Sequence, residues 1–276
     1  MKTPLRTLAC TLAVASVAAA APASANLGLQ RVTGGPGASA TLKNGVLTMH
    51  WAAAPGVPAG SARIQVPPDY LLPQVTAQGQ LGGLSFDGQT AVLAYARQGE
   101  GGRSHFLVAE KGKLAPLSFR GTVTFDAVAP AGEAIYLTRR ASATDATKYK
   151  VLSYDRSSHT LNPVVTKIVF SVAGGENPSG WTMQGQPLTR TSAADGSWTY
   201  TLYNSREYPF IHALPLGQGA WAACIELPAA WRGRAGSLRL RSVSPRTLQV
   251  LSAKGDVVAT ADLRNWKLAV APAATS

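Results

Sequence analysis

The chain has 276 residues, 26 Lys+Arg against 14 Asp+Glu and two cysteines, counts that exclude a disulfide-stapled miniprotein, a collagen-like repeat and a polytopic membrane protein. Hydrophobic residues make up 46% and charged residues only 14%, with 27 Gly and 18 Pro. Such a chain is short of the Lys and Glu that solvate exposed helices and rich in turn formers, which favours an all-β fold.

At the N-terminus, Lys2 and Arg6 precede an apolar, Ala-rich run from Thr7 to Ala21, and Ala23-Ser24-Ala25 places small residues where a signal peptidase reads. Residues 1–25 are therefore expected to be an export signal cleaved after Ala25. The run is shorter than the roughly 20 residues of a spanning helix, so stable membrane insertion is not expected. Cys10 has Thr7 three residues before it and most of the apolar run after it, unlike a lipoprotein cysteine. Cleavage leaves 251 residues with a formal charge of +10 and Cys224 as the one cysteine, so packing rather than a disulfide must stabilise the fold. The cations, among them Arg31, Arg97, Arg139, Arg190 and Arg232, are scattered, unlike the dense cluster of a nucleic-acid binder. A secreted or envelope-associated monomer is expected, its diffuse positive field suiting an anionic wall polymer or serving solubility.

Four segments share a glycine turn followed by an apolar strand: Asn44-Gly45, Asp87-Gly88, Ala131-Gly132 and Asp195-Gly196. Each reads as a hairpin. The glycines lie 43, 44 and 64 residues apart, and a glycine-free relative follows at Ser244-Pro245-Arg246-Thr247. That period is close to a propeller blade of four antiparallel strands. About 50 residues per repeat predicts five blades over residues 26–276, with room for a sixth only in the poorly patterned stretch from Asn26 to Leu81. The long third interval is read as a loop insertion at about residues 170–187, carrying Trp181, which either lines a binding mouth or covers the core edge. Leu29 to Thr33 is expected to add a strand to the last blade and so close the ring.

Ser85-Phe86-Asp87-Gly88-Gln89, with weaker versions around Gly132 and Gly196, resembles the blade turn of WD40-like and TolB-like β-propellers. Pro187 to Pro228, including Tyr200-Thr201-Leu202-Tyr203 and Pro209 to Leu214, resembles exported actinobacterial propeller proteins of unassigned role. The resemblance spans roughly residues 38–270 and implies architecture; propellers serve as enzymes, receptors and scaffolds alike. WD dipeptides are absent.

Nucleotide loops, the hydrolase elbow and the zinc-protease signature have no match, and the four histidines have no ligand-like spacing. No cofactor is expected, although calcium held by carboxylates from several blades would leave no local motif. Asp87 and Asp195 read as turn formers. Asp126 lies on the strand before a blade turn, where alternation places it with Thr124 and Val128 on one face and Phe125 and Ala127 on the other. Arg190 holds the equivalent place before the Asp195-Gly196 turn, so the two are expected to meet as an ion pair across the channel, holding blades together or lining a site. Tyr203, Asn204, Arg206 and Tyr208 are expected on a loop after the next strand, where their rings and polar groups would stack on a sugar or a peptide.

Two functions remain open. One is a non-enzymatic binding or scaffold propeller that presents Asp126, Trp181, Arg190, Tyr203, Asn204 and Arg206 to a protein or a cell-envelope glycan. The other is a propeller hydrolase or lactonase acting on a sugar-derived substrate through channel-facing carboxylates.

Overall fold

The computed structural model describes residues 28–140, 148–162, 167–170, 176–178, 183–217 and 221–272. The export signal expected over 1–25 and the side chain of Trp181 lie outside them. The described chain is a five-bladed β-propeller, each blade carrying a four-stranded antiparallel meander. Blade 1 is β1 (Gln30–Thr33), β2 (Ser39–Lys43), β3 (Val46–Trp51) and β4 (Gly60–Gln65), and blade 2 is β5 (Tyr70–Leu71), β6 (Thr90–Tyr95), β7 (Arg103–Glu110) and β8 (Lys113–Arg120). Blade 3 is β9 (Val123–Val128), β10 (Ala134–Arg140), β11 (Lys148–Asp155) and β12 (Thr160–Asn162). The interval read as an insertion holds β13 (Lys167–Phe170), β14 (Glu176–Pro178) and β15 (Met183–Gln184). Blade 4 is β16 (Gln186–Ser192), β17 (Trp198–Asn204), β18 (Pro209–Pro215) and β19 (Ala222–Glu226), with β13 added parallel to β19 and β15 pairing β11. Blade 5 is β20 (Arg239–Ser244), β21 (Thr247–Leu251), β22 (Val257–Asp262) and β23 (Lys267–Val270).

In blades 2, 3 and 4, strands such as β6, β10 and β18 carry nearly continuous apolar runs because both of their faces are buried, one against each neighbouring blade, whereas β2, β3, β21 and β22 alternate and bury one face. Period-two alternation divides the residues between those neighbours. Ala91 and Leu93 of β6 pack with Leu47 and Met49 of blade 1, whereas Val92 packs with Ile135 and Leu137 of blade 3. In β10, Ile135 and Leu137 face blade 2, while Ala134 and Tyr136 face Phe210 and Leu214 of blade 4. On the other face of blade 4, Leu202 and Ile211 meet Leu248 and Val250 of blade 5. Each such fully buried aliphatic side chain contributes about 1.5–3 kcal/mol. Cys224 belongs to this packing, 2% exposed in β19.

The turns at Gly88, Gly132 and Gly196 have one geometry. Each glycine N–H donates to the carbonyl three residues earlier, on Ser85, Ala129 and Ala193, and each has a φ of +73° to +78°. Asp87 accepts from the Ser85 hydroxyl and the Gln89 N–H, and Asp195 accepts from the Ser197 N–H, so both are turn formers. The Asn44-Gly45 turn is different: it joins the second and third strands of blade 1, not the first and second. The equivalent blade-1 turn is Gly34 to Ala38, which the spacing of Gly45 conceals because both turns are short and glycine-bearing.

Two further expectations are corrected. Residues 29–33 do not complete the last blade. β1 pairs β2 through the tight Gly34–Ala38 turn, and blade 5 already draws four strands from one contiguous stretch. The stretch from Asn26 to Leu81 holds no sixth blade among the described residues; it supplies blade 1 and the first strand of blade 2.

The blade turns also meet one another. A Cβ on Gly196 would lie 2.5 Å from the Phe86 ring of blade 2, and one on Gly35 would lie 2.7 Å from the same ring, so Phe86 sits where three blades converge. Gly196→Ala is expected to cost about 1–3 kcal/mol in urea denaturation, through both the positive φ and the ring clash. Gly236→Ala, with open space at its Cβ, is expected to stay within about 0.5 kcal/mol of wild type. Equal effects at the two positions would contradict the convergence on Phe86.

Candidate functional site

The site begins with a break in a ladder. Tyr136 pairs Ala127 and Leu137 pairs Phe125, which leaves Asp126 as the extra residue of a β-bulge in β9. The bulge corrects the expected alternation. Phe125 and Val128 fall in one core cluster and Ala127 in another, so Val128 does not share a face with Asp126. It also leaves the Asp126 carbonyl outside the ladder.

Arg190 takes up both freed groups. Its Nη1 donates to the Asp126 carbonyl, its Nη2 to Asp126 Oδ1, and its Nε to Thr201 Oγ1 at 2.8 Å. The two side chains are 9% and 4% exposed, so the expected pair is present and buried, joining the first strands of adjacent blades rather than spanning the ring. Burial works against the Arg190 charge, but Asp126 overrides it and holds the guanidinium above its ordinary value.

A loop of blade 2 crosses to the same place. Between β5 and β6, Ala77 N–H donates to Pro187 O at 2.8 Å, and Gln80 exchanges two 3.1 Å bonds with the backbone of Arg190. Gln78 Nε2 reaches Gly236 O, just before blade 5, at 2.7 Å. Blade 3 packs between blades 2 and 4, so these bonds reach past a whole blade.

Beside this crossing lies a cavity of about 810 Å³, within the range of small-ligand sites. Asp126, Tyr203, Asn204 and Arg206 line it, and the structure therefore gathers four of the six residues singled out from sequence. Arg190 lies beneath, bonded to Asp126. Thr122, Thr124, Thr138, Gln74, Gln184 and Gln186 supply hydroxyl and amide groups, and Arg140 and Arg232 join Arg206 as exposed cations. Sequence reading missed Arg140 and Arg232, which come from the end of β10 and the segment before blade 5. Only the packing of blades 3, 4 and 5 against one another brings them together.

Tyr203 is not the exposed loop ring that was expected. It lies within β17 and is 2% exposed, stacked on Phe210 at 5.2 Å and beside Tyr149 at 6.0 Å, so its face is closed to a ligand. Burial, with Asp126 adding to it, pushes the Tyr203 phenol well up, and burial does the same to Tyr149. A second aromatic group arises where blades 4 and 5 meet. Trp198 and Trp266 lie 5.3 Å apart, with Phe170 and Trp221 each about 6 Å from Trp266. Its members come from four separate strands or turns, so no stripe shows in the sequence.

Among the described residues, no group of three or more His, Cys, Asp or Glu converges, and no helix is long and apolar enough to cross a membrane. No protein-family model matches the chain, and no curated protein matches it. Similar solved structures include Kluyveromyces lactis Hsv2, with 12% identity, a TM-score of 0.43 and coverage of 86% of this chain and 70% of that one. A protein described as a TolB from Agrobacterium tumefaciens has 12% identity, a TM-score of 0.39 and coverage of 88% and 80%. An uncharacterised protein from Listeria monocytogenes has 11% identity, a TM-score of 0.42 and coverage of 88% and 82%. Values this low carry no argument about activity; the propeller architecture rests on the five sheets themselves.

Two outcomes follow from the buried groups. Arg190→Met strands the Asp126 carboxylate in the interior and is expected to cost about 3–5 kcal/mol in urea denaturation; a loss below about 1 kcal/mol would contradict the burial of the pair. Burial raises Tyr149 and Tyr203, and Tyr136 is pushed up to about 12 by burial and Glu133. The folded chain then keeps protons that the unfolded chain releases near pH 10, so this contribution is intact below about pH 10 and is lost as the pH climbs toward the folded values. Thermal midpoints followed from about pH 8 to 11.5 are expected to fall above pH 10 together with the rise of tyrosinate absorbance.

Proposed function

We propose that this chain is an exported, non-enzymatic propeller that binds a cell-envelope glycan, receiving part of it in the cavity beside the Asp126–Arg190 pair. The observation that carries this reading is the lining. A concave site of about 810 Å³ edged by threonine hydroxyls and glutamine amides suits the hydroxyl groups of a sugar chain, whereas a protein partner is met more often on a broad surface. The hydrolase or lactonase reading draws less support from the same geometry. Glycoside hydrolysis in its usual form needs two carboxyl groups flanking the bond. Among the described residues, Asp126 is the one carboxylate that lines the cavity, and Arg190 holds its Oδ1.

Thr124 is exposed on the cavity wall, bonded to Thr138 across β9 and β10 at 2.5 Å. Thr124→Trp fills the space without changing any charge. The purified protein is expected to sediment with isolated cell envelopes, and the Thr124→Trp variant to stay in the supernatant while melting within a few degrees of wild type. Equal sedimentation of the two would remove the cavity as the binding site. Retention abolished by protease treatment of the envelopes would make the partner a protein, and release of soluble sugar during incubation would restore the hydrolase.

A further inference from the structure

The floor and the rim of the cavity make opposite chemical demands. At the floor, Asp126 is 4% exposed, and while Oδ1 is bonded to Arg190, Oδ2 is buried with no donor among the described residues. Asn204 Oδ1, at the end of β17, is a second buried acceptor without a partner. Arg190 bonds neither atom: its Nε is directed at Thr201 and its Nη groups at the Asp126 carbonyl and Oδ1. Leaving such acceptors unpaired is costly in a dry interior, so the floor calls for hydroxyl or ammonium donors.

At the rim, Arg140, Arg206 and Arg232 are all exposed, and no carboxylate pairs with any of them among the described residues. Three guanidinium groups from different parts of the ring share one opening in a chain of formal charge +12. That field repels an ammonium ligand and draws an anion, which guanidinium groups hold through paired, directional bonds. A bare inorganic anion satisfies the rim but brings no donor to the floor. A neutral sugar satisfies the floor but leaves the rim cations facing one another.

Resting on the glycan reading above, we infer that the ligand is an acidic sugar: a polyhydroxyl ring whose hydroxyls donate to Asp126 Oδ2 and Asn204 Oδ1 and whose carboxylate or phosphate is held by Arg140, Arg206 and Arg232. No covalent step is involved. Specificity comes from the distance between the two groups of acceptors and cations, which one ring carrying both functions can span.

Calorimetric titration at low salt with D-glucuronate, D-glucose 6-phosphate, D-glucose and inorganic phosphate tests this directly. The two acidic sugars, or one of them, are expected to bind about tenfold or more tightly than glucose and than phosphate, and the preferred acid identifies the anion. Arg206→Gln, on an exposed turn, is expected to erase the advantage of the acids while leaving glucose unchanged. Asn204→Ala is expected to weaken the acidic sugars and glucose alike. Glucose binding as tightly as glucuronate and glucose 6-phosphate would overturn the anionic half, and phosphate binding as tightly as glucose 6-phosphate would overturn the hydroxyl half. No binding of any probe, with envelope retention still lost in Thr124→Trp, would overturn the acidic sugar while the cavity reading stands. Loss of both would end the two together.

Discussion

The buried ion pair between Arg190 and Asp126 is the interaction on which the centre of this propeller depends. It joins the first strands of two neighbouring blades in a dry environment, where a carboxylate and a guanidinium persist only when each meets the other's charge and hydrogen-bonding needs. Its worth lies in geometry more than in net stability, since a well-packed apolar pair of similar volume often holds a fold as firmly. What the pair fixes is the placement of a carboxylate. One oxygen is consumed and the other is left at the floor of the cavity.

The rest of the architecture explains why that placement is rigid. The central strands of blades 2, 3 and 4 are gripped on both faces, with alternate side chains committed to different neighbours, so none of these blades can slide without disturbing two interfaces at once. The blade-2 loop then ties the backbone of Arg190 to Gln80, and the neighbouring Gln78 reaches the segment before blade 5. Cations of this basic chain appear at the mouth of the same cavity rather than in one surface stripe. A scattered positive charge in sequence thus becomes a local field once the blades pack.

Much of this was legible in the residues. The glycine turns at 88, 132 and 196 announce the blades because a positive φ and a close backbone approach leave few alternatives to glycine. The Asp126–Arg190 pair followed from their equivalent positions before two such turns. What stayed hidden had physical causes. A bulge inserts one residue and reverses every side chain beyond it, so simple alternation misplaced Val128. Gly45 mimicked a blade turn because a tight hairpin between any two strands of a meander asks for the same residues. The crossing loop from residue 72 to 83 has no periodicity to read, and Tyr203 looked like a loop ring because its neighbours Asn204 and Arg206 are polar.

The pairing is measured by a double-mutant cycle on Asp126 and Arg190, using Asp126→Asn, Arg190→Met and the double variant in urea denaturation. If the two groups are paired inside the channel, each single change is costly, and the double variant loses far less than their sum, with a coupling energy of about 2 kcal/mol or more. Strictly additive losses would mean that the two side chains do not hold each other, and the account of both the channel and the cavity floor would fall with them.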